Sequence, residues 1–262
     1  MDFITSDGIR LNYQEYGNGM PIIFVHGFSG CQEIWTEQID FFVEHGFRVI
    51  TYDQRNHGAS QIDENLSDIF VLVRDLKELI KHLCKQKPII VGHSMGASVA
   101  YGILGQYQNL VKAVVAVDQS PKMVEDDEWH YGFMHATRTN CRAKAEQLPH
   151  IRQTLHGVTD KTRQKVKNAQ RQFPFDWQLN KKLLYSHVRV DWRKDIVNAK
   201  VPVLLITANQ SPFYDGRYAD VMCQENPKFV SHIAIDQTGH CVMAEQPTEF
   251  NQDVLSFIKN LK

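Results

Sequence analysis

The chain has 262 residues, of which 43% are hydrophobic, and this is enough for one large α/β domain with a modest insertion. Its 29 basic and 30 acidic residues leave a formal net charge of -1, so the overall charge gives no reason to expect nucleic acid or an acidic membrane as a partner. Five cysteines, an odd number without a Cys-x-x-Cys pair, predict free thiols in a reducing compartment.

The first eight residues contain two aspartates and no basic residue, which is unlike a secretory signal. The longest apolar stretches have the length of a strand and are far shorter than a membrane span. We therefore expect a cytoplasmic protein without a membrane span.

Taken in chain order, strand-like runs alternate with helix-like stretches. Ile9–Gln14 alternates apolar and polar residues, which predicts an exposed antiparallel edge strand. Near-continuous apolar runs predict parallel strands buried on both faces, at Pro21–Val25, Phe47–Tyr52, Pro88–Val91, Val111–Val117 and Val201–Thr207. Helices are predicted at Gln32–His45, Ser67–Lys85, Met95–Gln106 and Pro247–Leu261. This order predicts an α/β fold with a mostly parallel central sheet and helices on both faces.

Residues 119–197 interrupt the alternation. The segment has no clear strand, but it has several helix-like stretches and many apolar residues. We predict that it is a helical cap inserted after a central strand, and that residues 1–118 and 198–262 form the core. Because ligands bind at the carboxyl ends of parallel strands, a cap inserted there is expected to cover the active site.

The strongest chemical signal is the run Gly92-His93-Ser94-Met95-Gly96. It follows a predicted buried strand and precedes a predicted helix, which is the context of a nucleophile elbow. The two glycines allow the backbone to pass closely at this turn. We predict that Ser94 is the nucleophile. The Met95 N–H, at a helix N-terminus, is the first predicted donor to an oxyanion.

A second oxyanion donor is expected in the loop after an early strand. His26-Gly27-Phe28 ends the predicted strand at residues 21–25, and we assign this role to the Phe28 N–H. The aromatic side chains of Phe28, Trp129 and Tyr131 are predicted to contact the substrate.

The run QTGH at residues 237–240 follows an apolar-rich stretch and precedes the last amphipathic helix. A base that activates a serine must lie on a loop near the carboxyl edge of the sheet and be oriented by a carboxylate. His240 fits this position, and we predict that it is the general base. His26, His57 and His93 are predicted to shape the site through hydrogen bonds.

Four segments together resemble the α/β-hydrolase fold-1 superfamily, and in particular its small capped esterases and lipase-like members. They are HGFSG at His26–Gly30, YDQRNHGAS at Tyr52–Ser60, GHSMG at Gly92–Gly96 and TGHCVMAEQPTEFNQDVLSFI at Thr238–Ile258. The resemblance covers nearly the whole chain except the cap. It implies a Ser–acid–His triad in that chain order, with no metal and no organic cofactor. Asn56 is a departure, since many members have glycine at this place.

The acid of the triad departs from the superfamily's pattern. Many members carry it just beyond the strand that corresponds to Val201–Thr207, where this chain has Ser211. Asp118, at the end of the strand Val111–Val117, is predicted to take the role instead. Asp215 is the alternative acid, and a chain without a functional acid is a third possibility.

These residues predict a serine hydrolase that cleaves a carboxylic ester with a small to medium acyl group through an acyl-enzyme on Ser94. The predicted partner is a small-molecule ester. Three alternatives stay open. The same residues could serve a carbon–carbon bond hydrolase or lyase, and the fold could be a ligand-binding sensor with little turnover, which the serine at position 211 favours. The third is an acyltransferase, which requires that the cap exclude water.

Overall fold

The computed structural model describes residues 1–261, which contain eight strands and ten α-helices. Lys262, the last residue of the predicted core, lies outside the described residues. The strands are β1 (Asp2–Ile4), β2 (Arg10–Tyr16), β3 (Met20–Val25), β4 (Phe47–Tyr52), β5 (Ile89–His93), β6 (Ala113–Val117), β7 (Val203–Ala208) and β8 (Val230–Ile235). The helices are α1 (Thr36–Glu44), α2 (Ile69–Leu83), α3 (Met95–Tyr107), α4 (Cys141–Ala145), α5 (Asp160–Gln172), α6 (Lys181–Arg189), α7 (Arg193–Val197), α8 (Tyr218–Glu225), α9 (Val242–Glu245) and α10 (Pro247–Lys259).

The strands form one sheet in the order β1-β2-β4-β3-β5-β6-β7-β8. β2 pairs with β1 and with β4 in antiparallel fashion, and all pairs from β4 to β8 are parallel. The predicted mostly parallel sheet is confirmed. The prediction that Ile9–Gln14 forms the edge is wrong, because β1 pairs on the outer side of β2. With three residues, β1 is too short to show an alternating pattern.

Both faces of the central strands are covered by helices. In β3, Ile23 and Val25 face a core that includes residues of α2 and α3, whereas Ile22 and Phe24 face a core that includes residues of α1 and α10. Strands buried on both sides read as continuous apolar runs, which explains why the five predicted parallel strands are found within two residues of their predicted ends. All four predicted helices are present, the first of them as a 3₁₀ turn that runs into α1.

The chain between β6 and β7 contains α4 to α7, and no strand from it joins the sheet that residues 1–261 form. Its two ends meet where Lys122 and Asp191 form an isolated antiparallel bridge and the Trp192 N–H donates to the Pro121 carbonyl at 2.9 Å. Beyond this bridge, α7 packs against α3 and α8. The bridge thus joins the two ends of this segment and lies within the predicted bounds of 119–197.

A buried guanidinium joins three separate parts of the core. The Arg55 side chain is 1% exposed, and it donates two hydrogen bonds of 2.9 Å to the Asp75 carboxylate on α2. It also donates to Asp63 and to Asp7, each at 2.8 Å. Such a site ties the N-terminal segment, the loop after β4 and α2 together.

Replacing Arg55 by leucine is expected to lower the free energy of unfolding by about 3 to 5 kcal/mol, because the Asp75 carboxylate is then left buried without its cation. Urea unfolding at neutral pH measures this loss. The matched control is Lys161→Ala, which removes an exposed ion pair with Asp40 and is expected to cost less than about 1 kcal/mol. Equal losses in the two variants would contradict the role given to Arg55.

Candidate active site

The turn between β5 and α3 holds Ser94 in a strained backbone conformation. Its φ is 53° and its ψ is -124°, values that non-glycine residues rarely adopt. A Cβ on Gly92 would lie 2.3 Å from the Gly96 carbonyl oxygen, and one on Gly96 would lie 2.2 Å from the Val25 carbonyl oxygen. The two glycines are therefore required by close backbone contact, and Ser94 lies at the N-terminus of α3.

A carboxylate and an imidazole meet at the carboxyl end of the sheet. Asp118 directly follows β6 and is fully buried, and His240 lies on the loop between β8 and α9. The His240 Nδ1–H donates to Asp118 Oδ2 at 2.7 Å. The Ala208 N–H donates to the other carboxylate oxygen at 3.1 Å. With Nδ1 bound in this way, Nε2 is the nitrogen that can accept a proton.

Ser211 stands where many superfamily members have the acid, and it contacts Asp118, the predicted acid. Its hydroxyl donates to Asp118 Oδ2 at 2.7 Å. Asp215, the alternative acid, instead contacts the Arg217 guanidinium, and this hydrogen bond lowers the pKa of Asp215. Within residues 1–261, it is Asp118 and not Asp215 that the structure brings to His240.

Neighbouring groups contact His240 at its backbone and at its ring. The His93 Nε2–H donates to the His240 carbonyl at 2.9 Å, and burial lowers the pKa of His93 well below its usual value. The Phe213 ring packs edge-on against the imidazole with 4.7 Å between the ring centroids. The hydrogen bonds found in residues 1–261 do not include one from Ser94 Oγ to His240 Nε2. Such bonds are often long until a substrate binds.

The two predicted oxyanion donors lie beside Ser94. A Cβ on Gly27 would be 3.0 Å from the Ser94 Cβ, so the loop after β3 passes directly beside Ser94. In the part of the chain that the structure describes, neither the Phe28 N–H nor the Met95 N–H donates to another protein group. Two unoccupied N–H groups next to a serine are what the binding of an oxyanion requires.

Two buried neutral histidines shape this loop. The His26 Nδ1–H donates to the Gly27 carbonyl, and its Nε2 accepts from the Gln54 N–H at 3.0 Å. The His57 Nε2 accepts from the Ser29 N–H at 3.2 Å, and its Nδ1–H donates to a neighbouring carbonyl. Burial lowers the pKa of His26 to about 4 and that of His57 to about 3, so both rings are neutral near pH 7.

Because His26 and His57 are buried and neutral, we expect the protein to lose stability in acid. Below the usual histidine pKa of 6.5, His57 binds a proton in the unfolded chain, whereas in the native chain it does not do so until the pH falls to about 3. Stability is therefore full above pH 6.5 and falls as the pH drops, by up to about 1.4 kcal/mol per pH unit for each such histidine.

We expect the free energy of unfolding, measured with urea at several pH values between 7 and 5, to fall less steeply with decreasing pH in His57→Gln than in the native chain. His130→Gln is the control, since His130 is exposed. If the free energy of unfolding depends on pH in the same way in His57→Gln as in the native chain, His57 does not contribute to the loss of stability in acid.

A small cavity lies over Ser94. Its volume is about 20 Å³, room for about one water molecule. Of the three predicted substrate contacts, Phe28 lines the cavity, whereas Trp129 and Tyr131 do not. Trp129 instead donates from Nε1 to the Lys122 carbonyl at 2.9 Å and packs edge-on against Tyr131. The lining residues are Phe28, Ser94, Met123, Phe133, Ala145, Leu148, Leu184, His187, Val188, Phe213 and Tyr214.

The lining contains residues that sequence reasoning did not single out. Phe213 and Tyr214 follow directly after the Ser211-Pro212 turn, and their place next to the expected acid position was a signal for them. Leu184 and His187 lie one turn apart on α6, but nothing in the sequence shows which face of that helix meets the cavity.

Comparison with known proteins identifies the family. A family model described as the alpha/beta hydrolase fold matches residues 20–171, which is more than half of the chain. The chain belongs to the α/β-hydrolase fold family.

Curated relatives include enzymes named for halide chemistry. The chain is 32% identical over 151 residues to a non-heme haloperoxidase of Rhodococcus erythropolis, which covers 53% of this chain and 55% of that protein. It is also 32% identical over 127 residues to a non-heme chloroperoxidase of Streptomyces lividans, covering 47% of this chain and 46% of that protein. The chain thus spans about half the length of the curated relatives that it matches.

Solved structures share the whole fold at low identity. An esterase from Exiguobacterium antarcticum superposes with a TM-score of 0.85 at 18% identity, covering 99% of both chains. A bromoperoxidase from Bacillus anthracis superposes with a TM-score of 0.83 at 21% identity, covering 99% of this chain and 100% of that one.

Within residues 1–261, none of the helices combines the length and the hydrophobicity needed to cross a bilayer. The same residues hold no group of three or more histidine, cysteine, aspartate or glutamate side chains placed to bind a metal ion.

Proposed function

We propose that this protein is a serine hydrolase that cleaves carboxylic esters with a small to medium acyl group through an acyl-enzyme on Ser94. The observation that carries the proposal is the 2.7 Å hydrogen bond from His240 Nδ1 to Asp118, at the same edge of the sheet as the strained turn that holds Ser94. A carboxylate, an imidazole and a serine in this order of contact form the arrangement that acyl transfer requires.

In the proposed reaction, Ser94 Oγ attacks the ester carbonyl while His240 Nε2 accepts the hydroxyl proton. The Phe28 and Met95 N–H groups bind the negative oxygen of the tetrahedral intermediate. His240 then returns the proton to the departing alcohol, and the acyl group stays on Ser94. A water molecule attacks this acyl-enzyme with His240 as base, which releases the carboxylic acid and restores the serine.

We also propose that residues 119–197 act as a cap that limits the size of the acyl group. Seven of the eleven residues that line the cavity come from this segment. An acyl group longer than the cavity must displace packed side chains, and forcing extra methylenes into such a site costs about 1 to 3 kcal/mol.

A panel of p-nitrophenyl esters tests both proposals. We expect a burst of p-nitrophenol from the acyl-enzyme, and a kcat/KM that is highest for the shortest acyl groups and falls about tenfold or more for long ones. Rates that rise with acyl length would contradict the role of the cap. No turnover with any ester would contradict ester hydrolysis and favour carbon–carbon bond cleavage, a lyase or a sensor. The sensor hypothesis rested on a missing acid, and the hydrogen bond from His240 to Asp118 argues against it.

A second candidate function is the formation of a peroxycarboxylic acid, which the names of the haloperoxidase relatives favour. Hydrogen peroxide would then replace water in the attack on the acyl-enzyme, releasing a peroxy acid and the free Ser94 hydroxyl. The peroxy acid can oxidise a halide ion in solution. Bromide oxidation that needs peroxide, a carboxylic acid and an intact Ser94 would support this function, and oxidation that persists in Ser94→Ala would oppose it.

A further inference from the structure

His187 is the polar member of the buried face of α6. Leu183, Leu184, His187 and Val188 are the buried residues of this helix, and their spacing places them on one side of it. The side chains of Leu184, His187 and Val188 line the cavity over Ser94. The His187 imidazole is therefore one of the few polar groups in the largely apolar lining of the cavity that contains Ser94.

The His187 ring has no hydrogen-bond partner in residues 1–261. Its Nδ1 is closed off from solvent and unbonded, and the residue is 3% exposed. His26, His57 and His93 are also buried, but each of them bonds a backbone group through its ring. Because almost all buried polar groups in native proteins have a partner, an unbonded ring beside a cavity calls for a partner from outside the chain, either a water molecule or a group of a bound ligand.

The chemistry of the site restricts that partner to an uncharged group. Burial lowers the pKa of His187 to about 3, so the ring is neutral near pH 7 and offers one N–H donor and one acceptor. No charged side chain lines the cavity. A carboxylate or an ammonium group there would lack a counter-ion, and burying such a charge unpaired is strongly unfavourable.

We propose that His187 determines specificity by hydrogen-bonding an uncharged hydroxyl or carbonyl oxygen on the acyl group of the substrate. The inference rests on the proposed function, because an acyl group attached to Ser94 Oγ would extend among the residues that line the cavity, His187 included, and would displace some of them if it is larger than a water molecule. It adds a substrate class to that function, namely esters of short oxygenated acids.

Pairs of p-nitrophenyl esters that match in shape test the proposal. The pairs are 3-hydroxybutanoate with 3-methylbutanoate, and 4-oxopentanoate with 4-methylpentanoate. The measured quantity is the ratio of kcat/KM for the oxygenated ester to that for its alkyl partner. We expect His187→Leu to lower this ratio roughly 10- to 100-fold for at least one pair, because the substrate oxygen then loses its partner.

Two further variants separate recognition from packing. His187→Asn keeps a hydrogen-bonding side chain at this position of α6 and should retain part of the preference for the oxygenated ester. His130→Leu alters an exposed histidine of the same segment and should leave the ratio unchanged. The same ratio in His187→Leu as in the native protein, for both pairs, would overturn the proposal.

A binding measurement keeps this test independent of turnover. The methyl esters of the same acids are titrated into Ser94→Ala, with and without His187→Leu, and dissociation constants are obtained by NMR. We expect His187→Leu to weaken binding of an oxygenated ester about tenfold or more and to leave its alkyl partner unaffected. Equal effects on both would refute the role of His187 even if ester hydrolysis is observed. If no ester is turned over, the proposed function fails, and this titration still decides the specificity of the cavity.

Discussion

Ser94→Ala is expected to lower ester turnover by about 10⁵- to 10⁶-fold and to leave the fold intact. The alanine lacks the only atom that can form the acyl-enzyme, so the remaining rate would come from substrate binding and the oxyanion donors alone. The substitution removes one hydroxyl from a residue whose strained backbone is held by contacts at Gly92 and Gly96, which stay in place. Steady-state hydrolysis of a short p-nitrophenyl ester measures the loss, and circular dichroism with thermal melting checks the fold.

Ser98→Ala is the matched control. This serine lies one turn further along α3, and its hydroxyl is buried without a partner in residues 1–261. Its removal is expected to change neither turnover nor the fold. Native turnover in Ser94→Ala would show that another residue is the nucleophile.

Asp118→Asn is expected to lower kcat by about 10³- to 10⁴-fold with little effect on folding. The carboxylate accepts the Nδ1–H of His240 and so leaves Nε2 free to take the serine proton. An amide at this position can present an N–H to the ring and favour the wrong tautomer, and it cannot stabilise the imidazolium that forms during the reaction. The kcat of the variant with a short p-nitrophenyl ester measures the effect.

Two further variants test whether turnover requires a negative charge beside the His240 ring. Asp215→Asn should be nearly silent, because Asp215 contacts Arg217 and not His240. Adding Ser211→Asp to Asp118→Asn should restore part of the lost rate. Ser211 Oγ lies 2.7 Å from the carboxylate oxygen that His240 contacts, so a carboxylate from position 211 can reach the same ring. A large loss in Asp215→Asn, or no loss in Asp118→Asn, would reverse this choice of acid.

The central sheet could be predicted because burial on both faces leaves a strong signal in the sequence. Strands such as β6 and β7 are near-continuous apolar runs, and the other buried parallel strands share this pattern. β1 could not be predicted, since three residues at the edge of a sheet show neither a run nor an alternation. Its pairing with β2 depends on tertiary contacts that local residues do not encode.

The contact between Asp118 and His240 could be predicted because parallel strands place their carboxyl ends at one edge of the sheet. β6 and β7 are neighbours, so the residue after β6 lies beside the turn that follows β7. The part played by Ser211 could not be read from the sequence. A hydroxyl in the place of an acid looked like a loss, whereas the structure shows it donating to the acid next to it.

Residues of the insertion between β6 and β7 were the least predictable. Trp129 and Tyr131 are large and aromatic, which suggested a substrate contact, but Trp129 is buried against the base of the insertion. His187 has no sequence signal that separates it from the other histidines of the chain. Which face of α6 meets the cavity depends on how the helices of the insertion pack on the core, and helical periodicity does not contain this information.

The central claim is that Ser94 is a nucleophile activated by His240 and Asp118, and covalent labelling tests it most directly. The native protein, Ser94→Ala and Asp118→Asn are treated with a fluorophosphonate, and the modified peptide is identified by mass spectrometry. We predict rapid labelling of the native protein at Ser94, slow labelling of Asp118→Asn at the same residue, and none of Ser94→Ala. Labelling at a different residue, or at the native rate in Ser94→Ala, would contradict the account.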